Sequence, residues 1–131
     1  MRLHSLRPII WVNDVKKTID YYVNTLGFSQ TGYDDATGWG QVARDGVAIM
    51  FSSPNDHTPH DKLQFTGSFY FTTDNVETWW QLLKDKATIL YPMEDFDYGM
   101  REFAVTDCNG YILQFGQDMN AAPGIDSNDI D

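Results

Sequence analysis

The chain is poor in cysteine, in basic residues and in long apolar runs. Of its 131 residues one is cysteine, Cys108, so no intrachain disulfide can form and an intracellular, cytoplasmic setting is expected. No apolar stretch approaches the ~20 residues needed to span a bilayer. The first residues, MRLHSLRPIIWV, lack the apolar segment of a secretory leader. Nine bases stand against nineteen acids, a formal charge of −10. That balance excludes a protein that neutralises nucleic-acid phosphates with clustered Lys and Arg, and it suits a cationic ligand. A glycine-rich phosphate loop and a dinucleotide-binding fingerprint are both missing. Cys108 has no histidine near it in sequence, so a catalytic thiol is not expected.

What is present is a core. Apolar residues make up 42% and aromatics 15%, enough for one folded domain. Residues 118–131 differ: four acids, no base and little apolar content predict a disordered acidic tail after a domain over 1–117. Within that domain, residues 6–12 (LRPIIWV) read as a strand, with Pro8 placing it at an edge. Asn13 and Asp14 are candidate helix caps, and Val15, Ile19, Tyr22 and Leu26 form a helical stripe that Gly27 stops. Strands are expected over 28–33, 40–43 and 47–52, the last two joined by a hairpin at Arg44-Asp45-Gly46. Residues 53–62 are loop by composition.

The order then recurs. Residues 67–72 read as a strand, Asp74 with Glu77 as a capping box, and Val76, Trp79, Trp80 and Leu83 as a second stripe. One of Trp79 and Trp80 should pack in the core and the other offer a second contact surface. Short strands over 88–91, 101–106 and 111–115 follow, with a polar, aromatic loop at 94–99 and a tight turn at 107–110. Asp14-Val15 matches Asn75-Val76 at a distance of 61 residues, and Asp45-Gly46 matches Asn109-Gly110 at 64. A period near 60 predicts an α+β fold of two βαβββ modules, over about 1–53 and 63–117. One helix covers one face of each sheet, and two modules could curl their other faces around a groove.

These residues resemble the vicinal-oxygen-chelate superfamily, which includes glyoxalase I, ring-cleaving dioxygenases, fosfomycin-resistance enzymes and bleomycin-resistance proteins. The likeness runs from about Leu6 to Gln117 and is nearest to the bleomycin-resistance proteins. It is carried by Pro8-Ile9-Ile10, Val12-Asn13-Asp14-Val15, Leu26-Gly27-Phe28 and Arg44-Asp45-Gly46, and by the run from Tyr98-Gly99-Met100-Arg101-Glu102-Phe103 to Thr106-Asp107-Cys108-Asn109-Gly110. Two departures stand out: Tyr98 where the family usually has Trp, and Cys108 where it usually has Pro. The resemblance implies a cupped sheet and a homodimer that exchanges its N-terminal strand, with Pro8 either the hinge or an ordinary edge proline.

It also implies where a metal would sit in the enzymes of the superfamily: on the first and last strand of each module. Those positions hold Arg7, Ser68, Met50 and Gln114. Arg repels a metal ion, Met is a soft ligand and Ser a poor one, so no metal and no other cofactor is expected. His57 and His60, with Asp56 and Asp61, could form a surface zinc site, but structural zinc wants four fixed ligands, and a solvated loop is the expected reading. Strand alternation puts Arg7, Ile9, Trp11, Met50, Ser68, Tyr70, Ile112 and Gln114 on the open faces, with Trp39 and Tyr98 in loops that could close over them. Trp11 could stack on a ligand or be buried at a dimer interface. The expected function is non-catalytic sequestration of a small antibiotic-like molecule, cationic and heteroaromatic, in a dimer-interface groove. The alternative is a metal-dependent lyase, isomerase or dioxygenase of the same superfamily. Neither nucleic acid nor membrane is an expected partner.

Overall fold

The structure, a computed structural model, describes residues 1–54, 65 and 67–120. The chain divides into two units, Met1–Phe65 and Thr66–Asp131. Both have the order strand, helix, three strands, and both build a four-stranded mixed sheet in which the first strand lies parallel beside the last. The expected pair of βαβββ modules is therefore present. His57 and His60, expected in a loop, and residues 121–131 lie outside the described residues.

In the first unit β1 (Ile9–Trp11) pairs with β4 (Val47–Ser52), which pairs with β3 (Trp39–Arg44) and then β2 (Ser29–Asp34). The helix α1 (Val15–Asn24) starts at Asp14, whose carboxylate accepts from the Lys17 backbone N–H at 3.0 Å. It ends at Thr25, two residues before Gly27. Its buried stripe of Val15, Ile19 and Tyr22 packs on β3 and β4, where Val42, Ile49 and Phe51 are buried. Gly40 permits the close approach: a Cβ there would lie 2.5 Å from Ile19 Cδ1. Tyr22 packs against Phe28 and Phe51 at centroid distances of 5.7 and 5.0 Å.

In the second unit the order is β5 (Phe69–Thr72), β8 (Ile112–Asp118), β7 (Met100–Thr106) and β6 (Thr88–Asp95). Three local expectations change here. The cap of α2 (Val76–Leu83) is Asn75, which accepts from the Thr78 N–H at 3.3 Å. Starting one residue later makes Thr78 the third helical residue, so Asp74 and Glu77 are out of step for a capping box, and Glu77 accepts from Gln81 instead. Both tryptophans pack inward: Trp79 stacks on Phe115 at 5.1 Å and Trp80 meets Phe103 at 5.2 Å. The flat surface made by Phe103 stacked on Phe115 is wide enough for two indoles. Finally, β6 runs on to Asp95, taking in Glu94 and Asp95 that composition assigned to a loop. Register shifts between Ile89 and Glu94, together with the edge position of β6, let Pro92 remain within a strand. At the other end, β8 reaches Asp118.

Candidate functional site

Strand β7 divides its side chains between two environments. Phe103 and Val105 are buried on the helix side. Glu102 and Ala104 alternate with them and face the other way. On that opposite face Glu102 lies beside Gly116 of β8, and Ala104 lies between Gln114 of β8 and Tyr91 of β6.

Glu102 is 1% exposed, yet among the described residues no cation touches it; its carboxylate is held by hydroxyl groups instead. Tyr70 and Tyr98 donate to Oε1 at 2.8 and 2.6 Å, and Tyr91 donates to Oε2. Gln114 Nε2 donates to the Tyr91 oxygen at 2.9 Å and, at 3.5 Å, to Oε2, while its Oε1 accepts from Ser68. Gly116 makes the Tyr70 bond possible. A Cβ on Gly116 would fall 2.1 Å from the Tyr70 hydroxyl oxygen and 2.7 Å from Cζ, so only glycine lets the ring cross β8 to reach β7.

The electrostatics follow from this geometry. Burial alone would raise the Glu102 carboxyl, but the bonds from Tyr91, Tyr98, Tyr70 and Gln114 together outweigh it and hold the group below the usual carboxylate range. It is an anion at neutral pH. Its tyrosine partners shift the opposite way: Tyr98 is pushed up to about 12 by its bond to Glu102, and Tyr70 and Tyr91 rise through burial first and then that same carboxylate. The result is a negative charge under aromatic rings, two of them reaching solvent: Tyr70 is 41% and Tyr98 63% exposed. Phe96 stacks on Tyr98 at 5.4 Å and meets Tyr91 edge-on at 5.7 Å.

Of the ten residues singled out from the sequence, Ser68, Tyr70, Tyr98 and Gln114 meet in this network. Ile112 is on the same strand as Gln114, half-buried beside Thr106, and takes no part in it. The other five lie in the first unit. There Ile9, Met50 and Gln41 form one cross-strand row, and Trp11, Ser52 and Trp39 the next. Arg7 reaches Gln41 Oε1 at 3.4 Å. Trp39 is not in a loop: it opens β3, and its ring lies over Gly32 of β2. Two members of the network, Glu102 and Tyr91, escaped the sequence reading. The alternation of Glu102 with Phe103 and Val105 was a usable signal for the first. Pro92 and the register shifts in β6 hid the second.

The family model for the Glyoxalase/Bleomycin resistance protein/Dioxygenase superfamily matches residues 2–115. The chain belongs to this superfamily. Solved structures agree on the fold. A superfamily member from Sphaerobacter thermophilus superposes with a TM-score of 0.74 at 20% identity, over 88% of this chain and 98% of the other. One from Nocardioides gives 0.72 at 13% identity, over 95% and 89%. TioX from Micromonospora sp. ML1 gives 0.69 at 16% identity, over 88% and 99%. A comparison with curated proteins found no match.

For a metal-dependent member of the superfamily, Arg7, Met50, Ser68 and Gln114 would have to act as ligands. Their donor chemistry does not fit a divalent ion. Arg7 is a permanent cation bonded to Gln41, and Met50 offers a thioether. The Gln114 carbonyl already accepts from Ser68, and its amide is turned to Tyr91 and Glu102. Among the described residues no group of three or more His, Cys, Asp or Glu side chains could hold a metal.

Proposed function

We propose that the protein is a binder without catalytic chemistry, which sequesters a small cationic, heteroaromatic molecule of the antibiotic type. The observation that carries this reading is the buried Glu102 anion roofed by Tyr70, Tyr91 and Tyr98. A carboxylate near aromatic faces attracts a flat cation by charge and by the ring quadrupole together. The chain's net charge of −10 adds long-range attraction of the same sign. Protection would come by mass action, with bound drug removed from the free pool in the cytoplasm. No described helix is long and apolar enough to cross a membrane.

In this proposal the working form is a homodimer, with the ligand in a groove at the interface between copies and the N-terminal strand exchanged. Leu3, Leu6 and Ile9, 98%, 93% and 54% exposed, are apolar groups that a second copy would cover.

The test is an equilibrium titration of the purified protein with bleomycin, followed by tryptophan fluorescence, together with elemental analysis for metals. The expected result is a saturable change at micromolar drug or below, chemically unaltered drug on recovery, and no stoichiometric metal. An unchanged signal at micromolar drug would reject sequestration. One tightly held divalent ion per subunit would move the protein to the metal-dependent enzymes of its superfamily.

A further inference from the structure

The network around Glu102 fixes more than a charge: it fixes which way every hydrogen bond points. An ionised carboxylate can only accept, and a hydroxyl has one proton to give. Tyr91 gives its proton to Glu102, so the Gln114 group facing the Tyr91 oxygen must be the amide donor. The other end of Gln114 is then its carbonyl, and Ser68, which faces that carbonyl, must spend its proton there. Turning the amide over would set the Gln114 carbonyl against a Tyr91 oxygen whose proton is already committed, two acceptors in contact. Tyr70 and Tyr98 are committed in the same way to Oε1. Ser68, Tyr70 and Tyr98 are all exposed. Their hydroxyl oxygens keep lone pairs and have no proton left to offer.

We infer that this face reads hydrogen-bond polarity: it accepts organic cations that carry N–H donors, such as amidinium or guanidinium groups, through Ser68 Oγ and the Tyr70 hydroxyl, and it refuses groups that only accept. Glu102 acts in this as a positioning residue. It touches no ligand, but as the terminal acceptor it orients the donors that end at Ser68. The inference rests on the proposed binding function and names the ligand chemistry of that same face. Carboxylates and phosphates find no donor here and meet a negative charge. A quaternary ammonium satisfies the charge but leaves the oriented lone pairs unused.

Three phenyl probes separate these cases by calorimetry on the full chain: benzamidine, a cation with N–H donors; phenyltrimethylammonium, a cation without them; and benzoate, an acceptor. The unaltered protein should bind benzamidine about tenfold more tightly than phenyltrimethylammonium, the worth of one to two hydrogen bonds, and benzoate most weakly. Glu102→Gln replaces the pure acceptor by a group that also donates, and should reduce that preference to about threefold or less. Ser68→Ala, at an exposed position that leaves folding intact, should weaken benzamidine alone. Equal affinity for the two cations would overturn the inference, as would a preference that survives both substitutions. Bleomycin binding without discrimination among the probes refutes the polarity reading and leaves sequestration standing. Discrimination without bleomycin binding does the reverse, and binding of none of the four refutes both.

Discussion

Gly116→Ala offers a sharp test of how the site is built, because one methyl group decides whether Tyr70 can reach Glu102. The added carbon would sit 2.1 Å from the Tyr70 hydroxyl oxygen and 2.7 Å from Cζ, far inside van der Waals contact. The backbone of β8 is held on both sides by β5 and β7, so the ring must leave. The 2.8 Å bond to Oε1 goes with it. A hydrogen bond to a charged group contributes about 1.5–3 kcal/mol. Tyr70 is 41% exposed, so the low end, about 1.5 kcal/mol, applies. Against this, alanine in place of glycine within a strand stabilises by about 0.5–1 kcal/mol.

The single variant should therefore lose only about 0.5–1 kcal/mol, too little to be diagnostic alone. The informative quantity is the coupling to Tyr70→Ala. With the ring already gone, Gly116→Ala has nothing to displace and should stabilise by about 0.5–1 kcal/mol. The sign of its effect reverses, and the coupling is about 1.5 kcal/mol, beyond the ~0.5 kcal/mol scatter of independent sites. Urea denaturation followed by tryptophan fluorescence measures all four proteins, with Trp79 and Trp80 reporting on the same unit through their packing on Phe115 and Phe103. Equal destabilisation by Gly116→Ala with and without the Tyr70 ring would refute the crossing of β8 as the reason for the glycine.

Two further outcomes are expected. The Glu102 carboxyl is held below its unfolded value, so its contribution to stability is complete above about pH 4.5 and is lost as pH falls through the depressed value, whereas the raised tyrosines contribute fully below about pH 10 and lose that contribution above it. Urea midpoints measured across pH should therefore fall at both ends, and Glu102→Gln should flatten the acid limb; an unchanged acid limb in that variant would refute the assignment. Asn75→Ala should cost about 1 kcal/mol by removing the helix cap, while Asp74→Ala should stay within about 0.5 kcal/mol; the opposite ranking would restore the capping box.

Much of the fold was legible because its rule is local. Ile10 and Val12, Ile49 and Phe51, and Leu113 and Phe115 are all six buried, and they alternate with Trp11, Met50 and Gln114, which are only half-buried. The repeat also carried information that the motif at α2 did not. Matching Asp14 with Asn75 pairs two residues that both cap helices, whereas the pattern of Asp74 with Glu77 pointed one residue too early. The candidate site was half legible. Ser68 and Gln114 were singled out by their places in the family pattern, Tyr70 by strand alternation with Ser68, and Tyr98 by its place in a loop. Glu102 lies in the middle of a strand, where a charge reads as a solvated rim residue. Only the tertiary approach of three tyrosines from β5, β6 and the turn before β7 turns that residue into a buried anion.

The cross-strand registers explain why one topology can serve two different faces. Row by row, Ile9, Met50 and Gln41 of the first unit correspond to Tyr70, Gln114 and Ala104 of the second, and Trp11, Ser52 and Trp39 correspond to Thr72, Gly116 and Glu102. On the helix side most equivalent pairs keep their character, Ile49 with Leu113, Phe51 with Phe115 and Val42 with Val105; Gly40 with Phe103 is the exception. On the opposite side almost nothing is kept. An indole occupies the place of the buried carboxylate, and a serine that of the glycine over which Tyr70 crosses. The helix-facing residues must exclude water whatever the protein binds, so they are constrained by folding in both units. The open-face residues are free of that demand, and their divergence is what lets a repeated scaffold present an aromatic surface with Arg7 in one unit and a tyrosine-caged anion in the other. Exchanging Glu102 for the Trp of its counterpart should thus leave the sheet registers intact while abolishing the preference for N–H-bearing cations. If the preference persisted, recognition would have to come from the first unit, and the tyrosine cage would be only a device for stability.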